Sequence, residues 1–371
     1  MNERSIKEFL LRQCASYPAL TLQDLFKVLY QSCFGGEHLV ADMDAAADGI
    51  RREAAGRAEN ECVETLAGGR YARVDLGWIS HGMRPETLAR LFIRAAGHEA
   101  NGAEWLEEAL TVLTAMGKGG ELPFSAAETA AAVTAWRHGG FPPLHHSEAF
   151  RAHYAPAYRL VRGRDAHYLP LFARLDRALA GGERVILAIE GGSASGKTTL
   201  AALLQEVYGC PAFHMDDFFL RPEQRTAARL AEAGGNVDHE RFLQEVLLPL
   251  VRNETVAYRR YDCVEGALLP PRRIKPGRLN VVEGAYSMHP LLAPHYTLSA
   301  FLDIAPQTQR ARIAVRNAPE LAARFVSEWI PLEEAYFQAT GARARCALIF
   351  RAEDECGGAD APLPQETPEN R

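Results

Sequence analysis

The sequence predicts a chain in two parts: a mostly α-helical half over residues 1–180, and an α/β half over 183–356 built on a doubly wound parallel sheet. Three observations predict it. From Ala180-Gly181-Gly182 onward, short apolar runs alternate with helical patterns, as strands joined by crossover helices do. Residues 191–198 read Gly191-Gly192-Ser193-Ala194-Ser195-Gly196-Lys197-Thr198, the G-x-x-x-x-G-K-[ST] phosphate loop, with an apolar run before it and a helical pattern after it. At 371 residues the chain exceeds one ordinary core, and the loop's central position leaves room for a complete unit ahead of it. The α/β half is therefore expected to be of the P-loop NTPase type. Residues 357–371, polar and rich in Pro and Glu, are expected to form a disordered tail.

In the first half, Thr21 is placed to cap a helix over 22–33, and Pro85 stands at a first helical position. Ser125 with Glu128 makes a capping box before the Ala-rich stretch 130–136. A β-like stretch over 71–76 interrupts the helices, and Gly139-Gly140-Phe141-Pro142-Pro143 closes the last long one. Phe34-Gly35-Gly36-Glu37-His38 reads as a helix C-cap, and Tyr154-Ala155-Pro156-Ala157-Tyr158-Arg159 as a turn into a following helix. Eight of the twelve histidines fall in this half, among them His38, His145, His146, His153 and His167. Neither an H-E-x-x-H nor a Cys-His cluster accompanies them, so they read as core or solvated residues. In the second half, five apolar runs predict strands over 185–189, 212–215, 279–282, 298–304 and 347–350, enough for one twisted sheet.

Hydrophobic content of 47% and charged content of 24% suit a globular protein, and no apolar run approaches the roughly 20 residues of a membrane span. No secretory segment is visible at Met1-Asn2-Glu3-Arg4-Ser5, so the expected location is cytoplasmic. Seven scattered cysteines, Cys14, Cys33, Cys62, Cys210, Cys263, Cys346 and Cys356, form no C-x-x-C pair and read as reduced thiols. A net charge of −6 offers no basic footprint for duplex nucleic acid. Self-association into a homo-oligomer is left open.

The loop carries the first chemistry. Its glycines let successive N–H groups face phosphate oxygens, Lys197 reaches the β and γ phosphates, and Thr198, followed by Thr199, offers a hydroxyl to Mg²⁺. His214-Met215-Asp216-Asp217 places carboxylates directly after the second strand, at the edge where an open α/β sheet has its crevice. A kinase acting on a hydroxyl needs such a carboxylate to take its proton, and Asp216 is the candidate; an Asp pair that caps the next turn is the alternative. Glu283 ends a third strand as a Walker-B-like acid for Mg²⁺, or as an ordinary polar strand end. Arg310, Arg312, Arg316 and Arg324 follow the fourth strand; Arg312 and Arg316, one helical turn apart, share a face suited to clamping phosphates.

These residues resemble the uridine kinase and phosphoribulokinase group of P-loop kinases, over about residues 183–350. The resemblance rests on the loop, Asp216-Asp217-Phe218-Phe219, Asp238-His239, Val282-Glu283-Gly284 and the stretch from Asp303 to Arg316 leading into a lid. It implies Asp216 as catalytic base, Asp238 of the Asp-His pair on sugar hydroxyls with His239 beside it in the substrate site, Glu283 at the metal, and Arg312 and Arg316 acting from the lid. Asp238 also suits a helix N-cap before His239. Glu240 stands where uridine kinases usually have proline, and Tyr258-Arg259-Arg260-Tyr261-Asp262 matches their base-binding segment loosely. Tyr258 and Tyr261 are candidates for stacking on a base and Arg259 or Arg260 for meeting an anion, though a Tyr-Arg strand also suits a half-exposed edge.

The expectation is an enzyme that moves the γ-phosphoryl group of Mg²⁺-ATP to a hydroxyl of a nucleoside or similar small molecule. A pantothenate-like or sugar-phosphate alcohol keeps the same chemistry. A nucleotide-switched module whose helical half contacts a protein or RNA is the reading from another class; an acid placed as a kinase base and the lack of a long basic tract weigh against it.

Overall fold

The computed structural model describes residues 2–36, 42–96, 101–263 and 265–352. His38, Cys356 and the segment 357–371 lie outside the described residues. The chain forms two compact units, the first ending at Ala173 and the second starting at Arg174.

Caps in the sequence start the helices of the first unit. Glu128 accepts the Ser125 N–H at 2.9 Å while Ser125 accepts the Glu128 N–H, and the helix Ala126–His138 begins there. Thr21 and Asp24 do the same at the head of Leu22–Phe34, and Pro85 is the first residue of Pro85–Arg94. Helices Glu3–Ser16, Leu22–Phe34 and Gly102–Lys118 turn apolar faces inward, so that Ile6, Leu10, Leu25, Leu29, Leu106 and Leu110 share one core.

This unit also holds an antiparallel sheet in which β2 (Tyr71–Asp75) lies between β1 (Val63–Thr65) and β3 (Tyr158–Arg162). Only β2 is expected from the sequence. β1 is three half-buried residues without alternation, and β3 corrects the expected turn into a helix. Tyr158 to Arg162 extend because β2 supplies five paired positions for them, a partner some 90 residues away that local pattern cannot reveal. A helix, Leu169–Ala180, comes after the one ending at His138, so that one is not the last long helix of the half. The division between units falls inside Leu169–Ala180, ahead of Gly181-Gly182.

In the second unit the strands are β4 (Val185–Gly191), β5 (Ala212–His214), β6 (Val256–Tyr258), β7 (Tyr261–Asp262), β8 (Ala267–Leu268), β9 (Arg272–Ile274), β10 (Leu279–Glu283), β11 (Leu298–Asp303) and β12 (Leu348–Arg351). Five of them form one parallel sheet in the order β12-β11-β4-β10-β5, and these are the five apolar runs of the sequence. Every residue of central β4 is buried, as a strand covered on both faces must be. The chain leaves β4 toward the β5 edge and leaves β10 toward β11 on the other side of β4. Such a reversal opens a crevice at the carboxyl ends of the strands, where the phosphate loop begins. β6 with β9 and β7 with β8 make two small antiparallel pairs outside the sheet.

Gly191, where β4 ends, has φ +146°, and a Cβ there would lie 2.4 Å from the backbone oxygen of Leu302 on β11. Gly191→Ala is expected to destabilise the second unit by about 1–3 kcal/mol, read as a lower urea midpoint. Among the described residues, no helix is long and apolar enough to cross a membrane.

Candidate active site

The loop after β4 closes on itself before the helix Lys197–Tyr208 begins. The Ser195 N–H donates to the Gly192 carbonyl at 3.2 Å, Ala194 takes φ +60°, and Gly196 takes φ +104° as the helix N-cap. The first N–H groups of that helix therefore head the loop, an arrangement that favours anions. Lys197 folds back over it, its Nζ donating to the Gly191 and Gly192 carbonyls at 2.9 Å each. The Ser195 hydroxyl is buried within the loop and has no hydrogen-bond partner among the described residues.

Facing the loop are the carboxyl ends of β10 and β5, which pair in parallel so that Glu283 stands opposite His214 and, on its other side, opposite Ile189 of β4. The Thr198 hydroxyl donates to Glu283 Oε1 at 3.1 Å, and His214 Nδ1 lies 2.6 Å from the same oxygen. Burial opposes the charge on Glu283, but His214, Lys197 and Thr198 hold its carboxyl below the usual range, while its contact with Glu283 pushes the His214 imidazole up. Thr198 and Glu283 thus offer two hard oxygens side by side, the donor chemistry of a site that could hold Mg²⁺ with phosphate oxygens completing the shell.

Asp216 follows β5 in a short 3₁₀ turn, Met215–Phe218, with its side chain open to solvent while neighbouring Asp217 is buried. The protein recess around Asp216 raises its pKa; Glu283 adds to the rise and Lys197 opposes it. Asp217 instead accepts the Tyr258 hydroxyl at 3.0 Å. One acid of the pair is available to a ligand and the other supports the fold.

Three groups reach the loop from later in the chain. Glu333, buried on the helix Ile330–Thr340, accepts the Ser193 N–H at 2.8 Å and the Ser193 hydroxyl at 2.6 Å. Gln309 donates to the Ser193 carbonyl at 3.0 Å, and Arg312 to the Ala194 carbonyl at 3.2 Å. Arg316 does not share the loop contact of Arg312: its guanidinium lies over the Phe325 ring, 5.6 Å from the centroid, where cation and aromatic face attract. Behind the loop, fully buried Glu190 accepts the N–H groups of Gly191, Tyr286 and Met288 at 2.9, 3.2 and 2.9 Å, and the Tyr336 hydroxyl at 3.0 Å.

The expected acceptor-binding residues fare differently. Asp238 is buried and caps the turn His239–Phe242: Oδ1 accepts the Arg241 N–H at 3.1 Å and Oδ2 the Gln224 amide at 2.7 Å. Its N-cap role is thus the one its contacts display. His239 stacks on His289 with ring centroids 3.8 Å apart, and Arg229 lies 3.1 Å from its Nδ1. Tyr258 cannot stack on a base: it is buried in the core, its ring lies on Phe218 at 5.3 Å and its hydroxyl is taken by Asp217. Tyr261 is buried as well, whereas half-exposed Arg260 lies 3.9 Å from Asp217 and 3.8 Å from Asp262. Thr199 is exposed on the first turn after the loop. His214, Glu333, Gln309 and Glu190 were not among the expected site residues. His214 stands in the same strand end as Asp216, a signal that could have marked it; Glu333 meets Ser193 across 140 positions, and no local pattern announces it.

No protein-family model matches the chain. Among solved structures, one described as a possible uridine kinase from Bacillus stearothermophilus aligns over 45% of this chain and 89% of its own, at 19% identity and a TM-score of 0.36.

Proposed function

We propose that this chain is a kinase that transfers the γ-phosphoryl group of ATP to a hydroxyl of a nucleoside or similar small metabolite. The observation that carries this reading is the pairing of two acids at adjacent strand ends beside a phosphate loop: Glu283, bonded to Thr198, and Asp216, open to solvent. Two-acid division of labour is what phosphoryl transfer to an alcohol needs.

In this reading the loop N–H groups and Lys197 hold the β and γ phosphates. Thr198 and Glu283 are the residues that would hold Mg²⁺, which neutralises phosphate charge when bound. Asp216 orients the acceptor hydroxyl; as its oxygen bonds to the γ-phosphorus and the bridge to the β-phosphate breaks, Asp216 accepts the hydroxyl proton and ADP leaves. Arg312, already at the loop backbone, is the arginine placed to add positive charge.

The acceptor is the open half of the reading. With Tyr258 and Tyr261 in the core, base stacking by that segment has no support, so pantothenate-like and sugar-phosphate alcohols stand beside nucleosides. The test is ADP release from Mg²⁺-ATP by the purified chain against a panel of nucleosides, pantothenate and sugar alcohols. Acceleration by one acceptor class, abolished by chelating the metal and restored by Mg²⁺, is the expected result. ATP binding without acceleration by any small acceptor, but with turnover raised by a protein or RNA, would overturn the kinase in favour of a switch.

A further inference from the structure

The first unit contains a cleft of about 750 Å³, the size of small-molecule sites, that none of the kinase chemistry uses. A continuous buried polar network stands behind it. Asp24 takes the Ser147 N–H and hydroxyl at 3.0 and 2.6 Å and faces His146 Nδ1 at 3.0 Å; His146 Nε2 meets the Tyr158 hydroxyl at 2.7 Å. The Gln31 amide reaches that hydroxyl at 3.3 Å, and its oxygen accepts Arg73 at 2.7 and 3.0 Å. Although burial opposes it, the His146 and Ser147 bonds hold the Asp24 carboxyl well below the usual range, and burial keeps the His146 imidazole low and therefore neutral. This network surfaces on the cleft at Gln31, His146 and Tyr158, and so fixes three polar groups rigidly in its wall.

The charges in the wall are not balanced. Arg159 spends its guanidinium on Glu53 with bonds of 3.0 and 2.7 Å. Among the described residues, Lys27 donates only to the Leu144 carbonyl at 2.8 Å, and Arg57 only to the Glu53 and Ala155 carbonyls at 3.0 and 3.4 Å. With Arg151, these make three cationic side chains on the cleft that have no ion pair among the described residues, against one remaining acid, Asp42, which caps the helix Met43–Ala54. Burial and the nearby Arg73 charge lower the Lys27 amine to about 8, and the charge of Asp24 behind the wall offsets them only in part.

We infer that this cleft is a binding site for a phosphate-bearing small metabolite, whose phosphate meets Lys27, Arg57 and Arg151 and whose remainder lies toward Tyr158 and Phe92. Guanidinium and ammonium groups in excess favour a phosphate, and the cleft's volume admits a metabolite and not a duplex. The inference does not depend on the kinase reading.

The chain has five lysines, Lys7, Lys27, Lys118, Lys197 and Lys275, so acetylation by acetic anhydride can be followed at each by peptide mass spectrometry. The probe is inorganic phosphate, exchanged for chloride at constant ionic strength. At about pH 8, an anion beside Lys27 raises its pKa by a unit or more and slows its acetylation about tenfold. The slowing is expected at Lys27 in the full chain and equally in Lys197→Ala, with Lys7, Lys118 and Lys275 unaffected. Arg151→Gln is expected to raise the phosphate concentration for half-protection several-fold. No protection of Lys27, or protection that disappears in Lys197→Ala, would overturn the inference.

Discussion

Asp216→Asn is expected to bind ATP within about twofold of the native chain and to transfer phosphate about 10²–10⁴ times more slowly, the range for loss of a positioned general base. The asymmetry follows from where the side chain stands. Asp216 makes none of the contacts that build the loop, which Glu333, Gln309, Arg312 and Glu190 brace instead. Asparagine keeps its shape but cannot accept a proton. The recess and the Glu283 charge raise the Asp216 pKa, so the competent carboxylate is present above that value, and transfer in the native chain should fall as pH drops through it. Equilibrium dialysis with ATP and single-turnover rates separate the two effects. A variant with near-native transfer would remove Asp216 from the mechanism, and one that lost ATP binding would make it structural.

Glu190→Gln is expected to show a stability defect whose size changes with pH. In the native chain one carboxyl oxygen accepts two N–H groups and the other meets the Met288 N–H and the Tyr336 hydroxyl. A protonated acid satisfies all four, because its O–H can donate to the Tyr336 oxygen. Glutamine sets its own NH₂ against the Met288 N–H and leaves a buried donor unpaired, at a cost of about 2 kcal/mol. Burial raises the Glu190 pKa from 4.5 to about 7, even though its hydrogen bonds and Lys197 pull the other way. For a raised carboxyl, the stability it contributes is fully present below the unfolded value and is lost as pH rises through the folded one. The gap between native and variant should therefore be widest near pH 4.5 and narrow through about pH 7, as urea unfolding would show. A constant gap over that interval would mean the carboxyl stays ionised throughout.

The α/β half was legible because its signals are local. Five apolar runs became the five parallel strands, and the loop lay between its strand and its helix as the spacing required. The first half was legible only where caps spoke: Ser125 and Pro85 marked helix starts, while β1 and β3 depended on β2 for their existence. The site divides along the same line. Asp216 and Glu283 could be placed by strand-end position. Tyr258 could not be read correctly, because alternation shows that a side chain faces inward or outward but not that Asp217 waits for its hydroxyl. Asp24 and His146, 122 positions apart, likewise join a network that no motif encodes.

The parallel pairing of β10 with β4 and β5 has a consequence for which changes in chain length the protein can absorb. Glu283 sits at its place because Leu279 through Glu283 keep step with Val185 through Ile189. Deleting one residue inside β10 would shift the acid by about 3.3 Å along the sheet and turn it to the opposite face, away from Thr198. The two small hairpins ahead of it, β6 with β9 and β7 with β8, stand outside that ladder. A change of length there leaves the step between β4, β10 and β5, and with it the spacing of the loop, Glu283 and His214, as it is.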